Sequence, residues 1–199
     1  MALTPTTKLE AVNKLLQSIG ETKVNSLASG LSDAEQAEIT IDSISREVQT
    51  AGWSFNTELK YTLAAESGTG FVYLPSNTLR VDNWKYYPEK NYVQRGLRIY
   101  DSLNHTYAIN QSVIVNLVVL LDFTDLPEAA RRYITIRAAR IFQDETVGSM
   151  ELHGYKESDE LQALVEMKDA EAETGDYNVF DNYAVARILN RNVSNKILG

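Results

Sequence analysis

The sequence predicts an α+β protein: an antiparallel bundle of about four main helices with an inserted β-rich domain and a C-terminal arm. Three observations point there. Apolar residues recur at helical spacing near both ends of the chain, the period changes to β-type alternation in the middle, and the last stretch is too polar for a core of its own. The resulting division is 1–52 for the first helical hairpin, 53–124 for the inserted sheet, 125–174 for the second hairpin and 175–199 for the arm. An insertion of about 70 residues is far longer than an ordinary connection, so it is expected to have a role of its own.

The first helix is expected over 7–20. Leu9, Val12, Leu16 and Ile19 recur at steps of three and four, Thr7 to Glu10 fits a capping box, and Gly20 is a natural stop. A second helix is expected from Ser32 to Ala51, opened by a box from Ser32 to Glu35, with Ala37, Ile41, Ile44 and Val48 as its buried stripe and Gly52 as its end. From Trp53 onward the apolar residues alternate (Trp53, Phe55, then Leu59, Tyr61, Leu63). β-formers continue through Phe71 to Leu74, Leu79 to Val81 and Leu97 to Tyr100. Asp101 to Asn104 reads as a turn before His105 to Ile109, and the nearly all-apolar run Val113 to Leu121 as a strand covered on both faces. Most of the tyrosines and both tryptophans fall in this middle region.

Helical spacing returns at Asp125. That residue can cap the third helix, with Pro127 in its first turn and Glu128 near its positive end, and Ala130, Ile134, Ala138 and Ile141 as its stripe, with Tyr133 and Phe142 alongside, as far as Gly148. A fourth helix is expected over Met150 to Thr174, with Leu161, Leu164, Val165 and Lys168 on one face. After Gly175 the chain is Asn-rich and reads as a tail or clasping arm.

Composition narrows the function. With 44% apolar residues the 199-residue chain can close a core. No apolar run approaches the roughly 20 residues that span a bilayer, and MALTPTTKLE lacks a secretory pattern, so the protein is expected to be made in a cytoplasm. The absence of cysteine removes disulfides, thiol nucleophiles and cysteine zinc sites. A net charge of −8 argues against wrapping a phosphate backbone as the main task, although DNA that slides past is compatible with it. Most of the net negative charge lies in 125–174, which is net −6.

Chemistry is mostly missing. Gly68-Thr69-Gly70 lacks the Gly-Lys-Ser/Thr that completes a phosphate loop and reads as a hairpin turn. His105 and His153 have no histidine at the i+4 spacing of a metal pair. The pairs Asp144-Glu145 and Asp159-Glu160 would be the carboxylates of a cell-wall glycan hydrolase, the competing reading, but neighbouring helix positions diverge by about 100° and a solvated face explains them better. No catalytic residue, metal site or cofactor is expected. A basic band of Arg131, Arg132, Arg137 and Arg140 on the third helix faces an acidic fourth helix carrying Glu157, Asp159, Glu160, Glu166, Asp169, Glu171 and Glu173. These charges serve either as bridges between adjacent helices or as the two flanks of a subunit contact; Arg131, Arg132, Arg137, Arg140, Glu157, Glu160 and Glu166 are the candidate interface.

Several stretches in order carry a family resemblance. They are Ala11-Val12-Asn13 with Leu16 and Ile19-Gly20-Glu21; Ile44 through Glu58, with its Gly52-Trp53-Ser54-Phe55-Asn56; Leu74-Pro75 with Leu79-Arg80-Val81-Asp82; Arg95-Gly96 with Leu97 to Asp101; and Asp125 to Glu128 with Arg132-Tyr133-Ile134 and Ala138-Ala139-Arg140. Together they resemble the tail tubular protein A family of short-tailed bacteriophages over most of 11–173. Thr22-Lys23 departs from it, since proline is frequent there. The resemblance implies a virion protein without enzymatic activity. It would form a head-to-tail adaptor, a ring, as a dodecamer, between the portal and the nozzle protein (tail tubular protein B), with tail fibres docking nearby and DNA only in transit through the lumen. It further implies that the arm meets the portal, with Tyr177, Phe180, Tyr183, Ile188 and Leu189 as its candidate contacts.

Overall fold

The computed structural model describes residues 4–83, 91–148 and 150–174. Among the described residues four helices, α1 (Lys8–Ser18), α2 (Ser32–Thr50), α3 (Glu128–Thr146) and α4 (Met150–Thr174), enclose five strands in chain order: β1 (Thr57–Leu63), β2 (Thr78–Asn83), β3 (Tyr92–Arg95), β4 (Arg98–Asp101) and β5 (Val113–Val119). The mixed α+β class with about four helices is the one expected from the sequence.

Local chemistry sets the helix ends. Thr7 and Glu10 form the expected capping box, and α1 closes with the Glu21 amide bonded to the Leu16 carbonyl and the Gly20 amide to that of Gln17. That Schellman arrangement needs the left-handed φ of +86° that Gly20 supplies. The second expected box does not form. Leu31 holds the N-cap position, so Ser32 already lies inside α2 and no side chain caps it. Likewise Pro127, not Asp125, is the N-cap of α3, because Phe123–Asp125 turns as a short 3-10 helix beforehand. Glu128 instead takes hydrogen bonds from Thr6, from the backbone amide at 2.8 Å and the hydroxyl at 2.5 Å.

Among the described residues two clusters of buried apolar residues result. The helical one gathers Val12, Leu15, Ile41, Ile134 and Phe142, among others; the sheet one gathers Val72, Ile99, Val115 and Leu117. The expected stripes of α2 and α3 are buried, with Ile141 only partly so. In α4 the inner face is different from the expected one. Glu160, Ala163 and Met167 are buried, whereas Leu161 and Val165 stand 63% and 50% exposed. The ion pairs described below turn the carboxylate inward, and the apolar residues 100° away are left outside.

The main sheet is antiparallel in the order β1-β5-β2, and β3 pairs with β4 in a separate hairpin. Central position explains why β5 reads as a nearly all-apolar run, interrupted only by Asn116. Trp53 and Phe55, expected to begin the alternating strand, lie beside and within a 3-10 turn at Ser54–Asn56; their rings stack and pack on the helical core. β1 then runs with Leu59 and Tyr61 exposed, because a bulge between Glu58 and Tyr61, with Lys60 at φ +56°, breaks the face that alternation implied. Phe71 to Tyr73 and Thr106 to Ala108 make single bridges in place of strands. The Asp101 turn forms as expected, its carboxylate accepting from the amides of Leu103 and Asn104.

A few groups join sheet to bundle. Asn56 donates its amide to the carbonyls of Gln49 and Val119, both at 2.9 Å. Arg80 reaches the last carbonyls of α2, Thr50 and Ala51, at 3.3 and 3.2 Å, where a cation suits the negative helix end. Gly52 lies between them at φ +81°, and a Cβ there would stand 3.0 Å from both the Arg80 guanidinium and a Val118 methyl.

Candidate assembly surfaces

The basic band of α3 resolves into separate roles. Arg131 is a backbone clamp: its guanidinium donates to the carbonyls of Leu126 and Thr6, at 2.8 and 2.9 Å, and to that of Thr124. Arg137 bridges three helices, with one amino group 2.7 Å from Glu160 on α4 and the other 2.6 Å from Glu47 on α2. Arg140 donates through Nε to the second oxygen of Glu160 at 2.5 Å and through Nη1 to Asp144 at 3.2 Å. Glu160 thus accepts from two guanidiniums while being buried. Arg132 and Glu166 meet at 3.0 Å on the surface, with side chains 55% and 41% exposed.

Electrostatics follow this geometry. The hydrogen bond to Glu160 holds the Arg140 pKa above its ordinary value, against partial burial. For Arg137, burial pulls downward, and Tyr133, Glu160 and Glu47 together more than offset it. Both stay charged, as two guanidiniums sharing one buried carboxylate require.

Of the candidate interface, then, Arg131, Arg137, Arg140 and Glu160 are engaged within the fold, and Arg132 and Glu166 pair with each other at the exposed surface. The Glu157 side chain lies outside the described residues, as do Tyr177, Phe180, Tyr183, Ile188 and Leu189 of the arm. The hydrolase carboxylates do not face each other across a cleft: Glu160 points inward to its arginines, Asp159 is exposed, and Asp144 is tied to Arg140. Gly68 to Gly70 form a tight turn in which the Gly70 amide returns to the Glu66 carbonyl. Among the described residues no cluster of His, Asp and Glu is placed to hold a metal ion, and no helix is long and apolar enough to cross a membrane.

One surface went unnoticed in the sequence. On the β3–β4 hairpin, Arg95 and Arg98 lie over aromatic rings contributed by Phe71, Tyr100 and Tyr107. Tyrosine density in the middle region was the available signal, but the rings come from three segments that only folding brings together. A groove of about 670 Å³ also opens beside α1, α3 and α4, lined by Lys14, Arg132, Asp159 and Gln162.

A family model described as tail tubular protein matches residues 9–177, a span from α1 through the sheet and past the end of α4. The chain belongs to the tail tubular protein family. A relative named tail tubular protein A, from Klebsiella phage KP34, is 26% identical over 161 residues, covering 79% of this chain and 84% of its own. As a tail tubular protein, the chain is a structural component of a bacteriophage virion, in the tail. The family match takes in α3 and α4 with their ion pairs and the hairpin with its arginines, so both surfaces belong to the shared part of this tail tubular protein.

Proposed function

We propose that the chain is a ring-forming head-to-tail adaptor, without catalytic activity, that joins the portal to the tail nozzle while DNA passes through its lumen. Its subunits would be made in the host cytoplasm and close as a dodecamer. The observation that carries this reading is the extent of the family match, which takes in the helical bundle and the inserted sheet together. Two further features support it. A net charge of −8 repels a phosphate backbone, which suits a conduit that DNA must leave freely. The ion pairs of Glu160 and Glu47 with Arg137 and Arg140 tie α2, α3 and α4 together, while Arg132 and Glu166, paired with each other, stay at the surface where a neighbour can reach them.

The arm at 175–199, with Tyr177, Phe180, Tyr183, Ile188 and Leu189, is proposed to meet the portal, and Glu157 to lie near a subunit boundary. Nozzle protein and tail fibres are the other proposed partners. Mixing the full chain with the portal protein of the same phage and sizing the products tests the reading. Co-elution of a stoichiometric complex is expected; two separate peaks at every concentration would overturn it.

A further inference from the structure

α1 and α4 both pack on α3, and between them runs the groove of about 670 Å³. Arg132, Ile136 and Ala139 form its floor, a row that the helical period puts on one face of α3. Exposed amides stand on either side, Gln17 on α1 and Gln162 on α4. The carboxylates Glu10, Glu128 and Asp159 also line the groove, against the cations Lys14 and Arg132. Arg132 is already matched by Glu166 at 3.0 Å, so the groove is left with an excess of acid.

The chain leaves α4 at one end of this groove. Thr174 lines a small cavity together with Pro127 and Ala130, and Glu128, next to Pro127, is the first groove residue of α3. From Glu128 to Ala139 the floor runs about 16 Å at the helical rise. Residues 175–181 can span about 23 Å when extended, enough to turn back from Thr174 onto that floor. The stretch that follows, 182–199, carries Arg187, Arg191 and Lys196 and no acidic residue, a formal +3. It also holds four asparagines, and Val185, Leu189 and Val193 recur in it at four-residue spacing.

We infer that in the unassembled chain residues 182–199 seat in the groove of their own protomer. The basic side chains meet Glu10, Glu128 and Asp159, the asparagines meet the glutamines of the walls, and the apolar row covers Ile136 and Ala139. A tethered segment acts at a roughly millimolar effective concentration, so complementarity too weak to join two copies suffices within one chain. Seated there, the segment that the adaptor reading sends to the portal is withheld until a partner competes for it. The inference goes beyond that reading and stands without it, since it concerns a single chain.

Because the chain contains no cysteine, introduced pairs report the contact without background. Gln17→Cys, on the α1 wall, is combined in the full chain with Val185→Cys, Leu189→Cys or Val193→Cys in turn and oxidised mildly in dilute solution. At least one pair is expected to close within a monomer. Arg187→Glu, Arg191→Glu and Lys196→Glu together should slow that closure at least tenfold, and adding Asp159→Arg should recover part of the rate. High salt should slow it too, because the attraction is screened. A rate that ignores the charges of the segment means random collision and overturns the inference, as does closure by none of the three pairs. Closure only between chains, rising with concentration, puts a neighbour's segment in the groove and overturns the assignment to the same protomer. A chain that closes a pair as expected but never binds portal keeps this inference and loses the adaptor reading.

Discussion

Gln49 and Leu121 hold each other by a reciprocal pair of hydrogen bonds. The fully buried Gln49 amide donates to the Leu121 carbonyl at 3.0 Å and accepts from the Leu121 amide at 2.8 Å, across 72 residues of sequence. The side chain thereby acts as a short piece of strand, and the end of α2 is fixed to the exit of β5. Replacing Gln49 by Ala leaves both Leu121 groups unpaired, so we expect a loss of about 2–4 kcal/mol in urea unfolding. A loss under about 1 kcal/mol would mean that water substitutes for the amide.

Charge at the α3–α4 contact belongs to the protomer. Arg137→Glu with Arg140→Glu would set three carboxylates against one another around buried Glu160. Breaking a pair of this kind typically costs about 3–5 kcal/mol, which corresponds to a melting temperature lower by roughly 6–20 °C in a chain of this size. Arg132→Glu, at an exposed pair, should stay within about 1 kcal/mol of the parent. Equal melting temperatures for all three proteins would contradict this assignment.

Trp53 anchors the start of the insertion by a hydrogen bond from its indole to the Val48 carbonyl at 2.8 Å and by stacking on Phe55. The ring is only partly buried, so Trp53→Ala is expected to cost about 2–3 kcal/mol, less than truncating an aromatic at the centre of a core. Denaturant titration decides between this value and the smaller change of a surface position.

Glu10 gives α1 a pH dependence. Its carboxylate accepts from the Thr7 amide at 2.7 Å and the Thr7 hydroxyl at 2.9 Å, and these bonds hold its pKa below the usual 4.5. The unfolded chain therefore binds a proton first as pH falls. The contribution is complete above about pH 4.5 and disappears as pH drops through the lower folded value. Glu10→Gln should unfold at lower urea than the parent at pH 7, and the difference should shrink toward pH 3. A difference that is constant or grows with acid would contradict the capping role.

Much of this fold is legible in the sequence, and the gaps have physical causes. Ala37, Ile41, Ile44 and Val48 spell a stripe because these positions of α2 pack by hydrophobic burial. On α4 the same reasoning selected Leu161 and Val165, since nothing within one helix indicates that a carboxylate at position 160 goes inside; two arginines on another helix decide it. Alternation misled at Leu59 and Tyr61 because a bulge and an edge position leave both faces of β1 open. Pairing of Arg137 and Arg140 with acidic residues was readable, but a charge pattern has no label for same chain or next chain. The arginine–aromatic surface needs residues 71, 95–100 and 107 in one place, which is information about tertiary structure.

Electron micrographs of the full chain bound to its portal protein test the adaptor reading most directly. We expect a closed ring of repeated protomers, stacked on the portal and open along its axis. Single protomers scattered on the portal, or a chain that leaves the portal bare while remaining folded, would contradict it.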